Sequence, residues 1–236
     1  MYEQIRVDIR DEMAWLVMDR AAKRNAISIQ MMEEIIDAFA SLAEDRSVAV
    51  VVIIGEGGVF SAGWDRDELL DQTPATKTRF EQVGGDFYRA LVRFPKPLVA
   101  AVGRYALGTA FDVATLCDVR VASDDVSFAH SEVRLGGISI FTPLKQILGD
   151  GWARWIILSG APIDAPTAER IGLVTHVCPR DELEATARQV AAYIAEVPRE
   201  TVEYTKTYLW THPDPEEWLR VEFEPAFTRG LTIKRK

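Results

Sequence analysis

Two short stretches of small residues interrupt the apolar middle of the chain: "VFSAGWD" at 59–65 and "GRYALGTAFD" at 103–112. Each follows an apolar run, "VAVVVIIG" (48–55) and "KPLVAAVG" (96–103). The chemistry open to such loops is carried by the backbone. An N–H at a loop tip and another at a helix start can together hold an oxygen that turns negative during a reaction. The helix start adds its partial positive charge. Ala62, Gly63 and Gly108 would let a ligand carbonyl come close. The N–H of Trp64 is then one candidate donor and that of Thr109 the other. A backbone donor does not depend on its side chain, so tryptophan is admissible there. The same residues also fit two ordinary loops rich in small side chains, and both readings stay open on composition.

Other short motifs lead away from catalysis by side chains alone. "GEGG" (55–58) would need glycine at Phe60 to make a dinucleotide loop, and no convincing helix starts close enough to it. Ser61 is not in G-x-S-x-G, and no Asp–His pair stands out to serve it. His130, His176 and His212 are scattered and read as surface or packing side chains, so no metal site is expected. Cys117 and Cys178 lack metal-type spacing and read as reduced, buried thiols of a cytoplasmic protein. A net charge of −9 argues against a nucleic-acid face. No apolar run approaches membrane-spanning length, and "YEQIRVDIR" does not look like a targeting presequence.

The elements that must carry the two loops follow from periodicity. "EQIRVDIR" and "MAWLVMD" alternate apolar and polar residues around "DE", which predicts a hairpin. Met31, Met32, Ile35, Ile36, Phe39 and Leu42 recur at helical spacing, with Ser28 as N-cap. "VAVVVIIG" is an unbroken β-branched run, as in a strand buried on both faces. A polar helical stretch (66–94), the strand "KPLVAAVG", a short buried helix (109–117) and the strand "DVRVAS" follow. Strands alternating with helices imply parallel crossovers and an α/β fold. From about residue 142 the chain reads as mostly helical, punctuated by Pro198, Pro213 and Pro215.

Beyond periodicity, "FSAGWDRDEL", "KPLVAAVGRYALGTAFDVATLCDVRVASDDVSFAHSEVRLG" and "AERIGLVTHVCPRDEL" resemble, in order, the signature blocks of the crotonase family, the enoyl-CoA hydratases and isomerases. The resemblance runs from "DRAAKRNAIS" (19–28) into the C-terminal helices. It implies a crotonase-like β-β-α superhelix over residues 1–178. A helical region at 179–236 would assemble homotrimers or dimers of trimers. It also implies stabilisation of a thioester enolate by the N–H groups of Trp64 and Thr109, with Glu132 and Asp112 as acid/base carboxylates. Coenzyme A would enter as part of the substrate, with no permanently bound cofactor. It would lie along Ala62, Trp64, Asp65 and Arg66, with Lys23 and Arg24 near its phosphates, making a local positive site on an acidic protein. The implied setting is fatty acid metabolism.

The chain departs from the family pattern in places. Thr109 stands where glycine is usual, and Asp112 where the longer glutamate is usual. A carboxylate one bond shorter sits about 1.5 Å back, and a misplacement of that size can cost on the order of 100-fold in rate. Asp112 also fits an idle acid in a helix's first turn. Glu132 keeps its position. "GGISIFTPLKQILG" (136–149) is short and lacks P-G-x-G-G, which predicts a reshaped acyl end walled by Trp64. Against the family pattern the last helix reads as cut short at "RGLTIKRK", a basic tail that fits either a solvated end or a contact with CoA phosphates. The leading activity is hydration of an enoyl-CoA. The alternatives are double-bond isomerisation with Glu132 as sole base, another reaction of the same oxyanion site (C–C hydrolysis, decarboxylation, dehalogenation), and a degenerate acyl-CoA-binding homologue.

Overall fold

The computed structural model describes residues 2–71, 73–209 and 216. Strands β1 (Ile5–Arg10) and β2 (Met13–Met18) form the expected antiparallel hairpin. Its two turn residues, Asp11 and Glu12, both take positive φ (53° and 59°), which matches a two-residue turn to the twist of the strands.

From β2 onward the chain winds as a spiral. Each turn gives one strand to a main sheet, a short extended segment set back from it, and then a helix. The first turn runs β2, Ile27 and helix α1 (Ile29–Glu44). The second runs β3 (Val50–Gly55), residues 61–64 and helices α2 (Arg66–Leu70) and α3 (Pro74–Arg93). The third runs β4 (Leu98–Val102), β5 (Tyr105–Leu107) and α4 (Thr109–Leu116). The fourth runs β6 (Val119–Ser123), β7 (Ser127–Ala129), a short 3-10 turn at Ser131–Leu135 and α5 (Thr142–Ser159). After it come β8 (Ile163–Asp164), α6 (Ala165–Arg170), β9 (His176–Cys178), α7 (Leu183–Ala195) and α8 (Arg199–Leu209).

The main sheet has the order β1-β2-β3-β4-β6-β9 and is parallel beyond the hairpin. The set-back segments stack in their own layer. Ile27 bridges Trp64, Ser61 bridges Ala106, β5 runs parallel to β7, and β7 pairs with β8. This is the β-β-α superhelix expected from the sequence blocks.

Both faces of the main sheet are buried, which explains the unbroken apolar runs. Val51, Ile53, Leu98, Ala100 and Val102 join the core under α1, α3 and α4. Their alternates Val50, Val52, Val99 and Ala101 pack beneath Leu183, Ala187, Val190 and Ala191 of α7, which lie on one helical face. The helical region expected to begin at residue 179 therefore starts as part of the core. Ser28 caps α1 through the Met31 N–H, as expected.

Some elements differ from expectation. The helical stretch at 66–94 is two helices, because Thr73 caps a fresh start at Pro74. The helical C-terminal part also contains β8 and β9, and β9 extends the main sheet beside β6. Strands of two or three residues are too short to display an alternation. Pro213, Pro215 and the tail at 229–236 lie outside the described residues. Among the described residues no helix is long and apolar enough to cross a membrane.

Candidate active site

The two small-residue loops occupy equivalent places in successive turns, between the set-back segment and the helix. Gly63 has φ 86°, and a Cβ there would lie 2.4 Å from the Leu107 carbonyl oxygen. The loops approach this closely because residue 63 has no side chain. The Ile27 N–H donates to Gly63 and the Asp65 N–H donates to Ile27, each at 2.8 Å. These bonds straddle Trp64, so by the alternation of an extended segment its own N–H turns the other way, toward the next turn. That turn holds Thr109, the first residue of α4, preceded by Gly108, which supplies no side-chain cap. The first amides of a helix have no intrahelical acceptor and carry the positive end of its dipole. The Trp64 ring packs edge-on against Phe80, with centroids 4.8 Å apart, and beside Tyr88 at 6.4 Å.

Glu132 lies in the 3-10 turn after β7, again at the end of a set-back strand. Its Oε1 accepts a hydrogen bond from the Ser139 hydroxyl (2.7 Å) and pairs with Nδ1 of His130 (2.9 Å). Its Oε2 has no hydrogen-bond partner and lies against Gly108, where a Cβ would meet it at 3.0 Å. Burial pushes the Glu132 carboxyl up, but His130 and then Ser139 outweigh it and hold the group below its ordinary value. Asp112, in the first turn of α4, is buried and accepts the Tyr88 hydroxyl on Oδ2 at 2.5 Å. Burial and the neighbouring Asp112 push the Tyr88 hydroxyl well above its usual range, so it stays protonated as a donor. Nε2 of His130 lies 3.6 Å from Oδ1 of Asp112.

A cavity of about 270 Å³ brings together Ala62, Trp64, Arg66, Thr109, Asp112 and Glu132. Leu69, Leu107, Ile138 and Ile140 make its apolar side. The remaining expected residues lie around it. Asp65 is 5% exposed, and its carboxylate is committed to Arg20 (2.8 Å) and to the Asp67 N–H in the first turn of α2. Lys23 pairs with Asp67 at the surface (2.8 Å). The Arg24 carbonyl accepts the Ala62 N–H (3.0 Å), so this turn braces the donor loop from outside.

His130, expected at the surface or in packing, is packed, fully buried and stacked on Phe111 at 4.7 Å, and it also stands between the two carboxylates. Its one sequence signal was its place two residues before Glu132. Tyr88 and Ser139 carried none, since the spiral alone brings them to the site. Among the described residues no group of three or more His, Cys, Asp or Glu side chains is arranged to hold a metal ion.

The model of the enoyl-CoA hydratase/isomerase family matches residues 8–225. The chain belongs to this family. A probable enoyl-CoA hydratase of Mycobacterium tuberculosis is 31% identical over 241 residues, covering 100% of this chain and 88% of the relative. The 2,3-dehydroadipyl-CoA hydratase of Escherichia coli is 34% identical over 183 residues, covering 76% of this chain and 71% of the relative. An enoyl-CoA hydratase/isomerase from Xanthobacter autotrophicus Py2 has the same fold, with TM-score 0.88 and 27% identity over 99% of this chain and 88% of that one. Within this hydratase/isomerase fold, the cavity is lined by Trp64, Thr109, Asp112 and Glu132, and the imidazole of His130 stands between the two carboxylates.

Proposed function

We propose that the protein adds water across the α,β double bond of an enoyl-CoA thioester. The observation that carries this reading is the unpartnered Oε2 of Glu132, a residue that lines one cavity with Trp64, Thr109 and Asp112. A base must lie within hydrogen-bond reach of the proton it takes. In the proposed step, Glu132 takes a proton from water as the water oxygen bonds to the β carbon. The double-bond electrons move onto the thioester, and the enolate oxygen is held by the Trp64 and Thr109 amides. Glu132 then returns that proton to the α carbon and is again ionised, so one water is added in total. Asp112 would hold the water from the other side. Coenzyme A would run from the thioester past Ala62, Trp64 and the Asp65 loop toward Arg66, with Lys23 and Arg24 near its phosphates. Assembly as a homotrimer or dimer of trimers and a place in cytoplasmic fatty acid metabolism complete the proposal. The free, buried Cys117 and Cys178 fit a reducing compartment.

One observation favours double-bond isomerisation instead. Asp112 is buried and engaged by Tyr88, which would leave Glu132 as the single mobile base. Turnover of crotonyl-CoA and of a 3-enoyl-CoA by wild type, Glu132→Gln and Asp112→Asn decides between them. Glu132→Gln should lose at least about 100-fold on whichever substrate the enzyme uses. Asp112→Asn should lose activity strongly on crotonyl-CoA if water is added, and mildly on the 3-enoyl substrate if a double bond is moved. Wild-type turnover by Glu132→Gln on every substrate would overturn both readings.

A further inference from the structure

Two carboxylates on the wall of a site where an enolate gains charge oppose that charge, the more strongly the less water separates them. Asp112 and Glu132 stand on one cavity in this way, and the fully buried imidazole of His130 lies between them. Its Nδ1 is 2.9 Å from Oε1 of Glu132. Its Nε2, enclosed and without a hydrogen bond, is 3.6 Å from Oδ1 of Asp112. Phe111 of α4 stacks on the ring, so the imidazole has little freedom to turn. A line of side chains results, from Tyr88 through Asp112, His130 and Glu132 to Ser139, drawn from α3, α4, the segment after β7 and the loop before α5.

We propose that His130 is the positioning residue of this site. As an imidazolium it couples the charges of Asp112 and Glu132, cancels one carboxylate charge, and keeps Glu132 ionised with Oε1 held and Oε2 unpartnered. The proposal rests on the enoyl-CoA reading, in which Glu132 is the base. The titratable groups facing His130 are Asp112 from α4, Glu132 from its own segment and, through Asp112, the Tyr88 hydroxyl from α3. Arg134, nearby in sequence, donates to the Ser159 carbonyl instead. Burial alone would strip the proton from this imidazole, but Asp112 and Glu132 outweigh it and hold its pKa above the ordinary histidine value.

His130→Gln tests the proposal, because glutamine keeps a donor for Glu132 but carries no charge. On crotonyl-CoA, or the 3-enoyl-CoA if that is the substrate used, kcat should fall about 10- to 100-fold, as when a group that orients a reacting side chain is lost. KM should change little. The acid limb of the pH–rate profile should move to higher pH, because Glu132 loses its cationic neighbour. The alkaline limb, where the wild type loses the imidazolium, should disappear. A lower rate with an unmoved profile would reduce His130 to packing and overturn the proposal.

A second measurement does not depend on turnover. Nitrogen NMR of the histidine-labelled wild type should find His130 protonated at both ring nitrogens above about pH 6.5, the ordinary histidine value. Asp112→Asn and Glu132→Gln should each lower the pH at which that proton leaves. A His130 that is neutral at or below that ordinary value overturns the proposal, even if His130→Gln fails to fold. If the wild type turns over no enoyl-CoA while the NMR signature holds, the charge coupling stands and the hydratase reading falls.

Discussion

Along β3 and β4 the main sheet is closed on both faces by apolar side chains. The short strands β5 and β7, one step further along each turn, end instead at Gly108 and His130, where amides, an imidazole and carboxylates collect. The first region acts through burial, which has no direction and scales with the area removed from water. The second acts through placement, where about 1 Å of error can cost on the order of 100-fold in rate. Substitutions in the two regions should therefore fail in different ways.

The largest expected effect is on the sheet side. Leu16 is fully buried in β2, so Leu16→Ala should cost about 2–5 kcal/mol of stability. Turnover per folded molecule should stay unchanged. Denaturant unfolding paired with kcat checks this, and lost kcat at full stability would erase the distinction. Gly63→Ala sits on the other side. Its φ of 86° and its 2.4 Å approach to the Leu107 oxygen would force the donor loops apart. Turnover should fall on the order of 100-fold, at a strain cost of about 1–3 kcal/mol. An active Gly63→Ala enzyme would show that the loops need not touch.

The smallest expected effect is on stability against pH. Glu132 is lowered in the folded state, so it stabilises above its unfolded value of about 4.3, and that contribution is lost as pH falls through the folded one. His130 is raised, so it stabilises below about 6.5, and that contribution is lost as pH rises through its folded value. Melting temperatures across pH should show both edges in the wild type. The acid edge should weaken in Glu132→Gln, and an identical pH dependence in the two proteins would mean that Glu132 does not feel its neighbours.

Much of the frame was legible before any coordinates. β3 and β4 are unbroken apolar runs, Ser28 announces α1, and the small residues Ser61, Ala62 and Gly63 and then Ala106 and Gly108 mark both loops. These signals are local, because periodicity, capping and chain flexibility are properties of neighbouring residues. β5, β7, β8 and β9 were not legible, since two or three residues carry no period and their pairing is decided by the stacking of successive turns.

The same holds at the site. The sequence alone determined alternating strands and helices and two loops able to present amides, and its resemblance to the crotonase blocks pointed to the spiral and to Glu132 and Asp112 as the acids to watch. Only the tertiary structure decided that Tyr88 donates to Asp112, that Ser139 and His130 hold one oxygen of Glu132, and that a histidine read as packing stands between two carboxylates. The reason is physical. A side chain's charge state and aim are set by burial and by partners across space, and in this chain those partners come from different turns of the spiral.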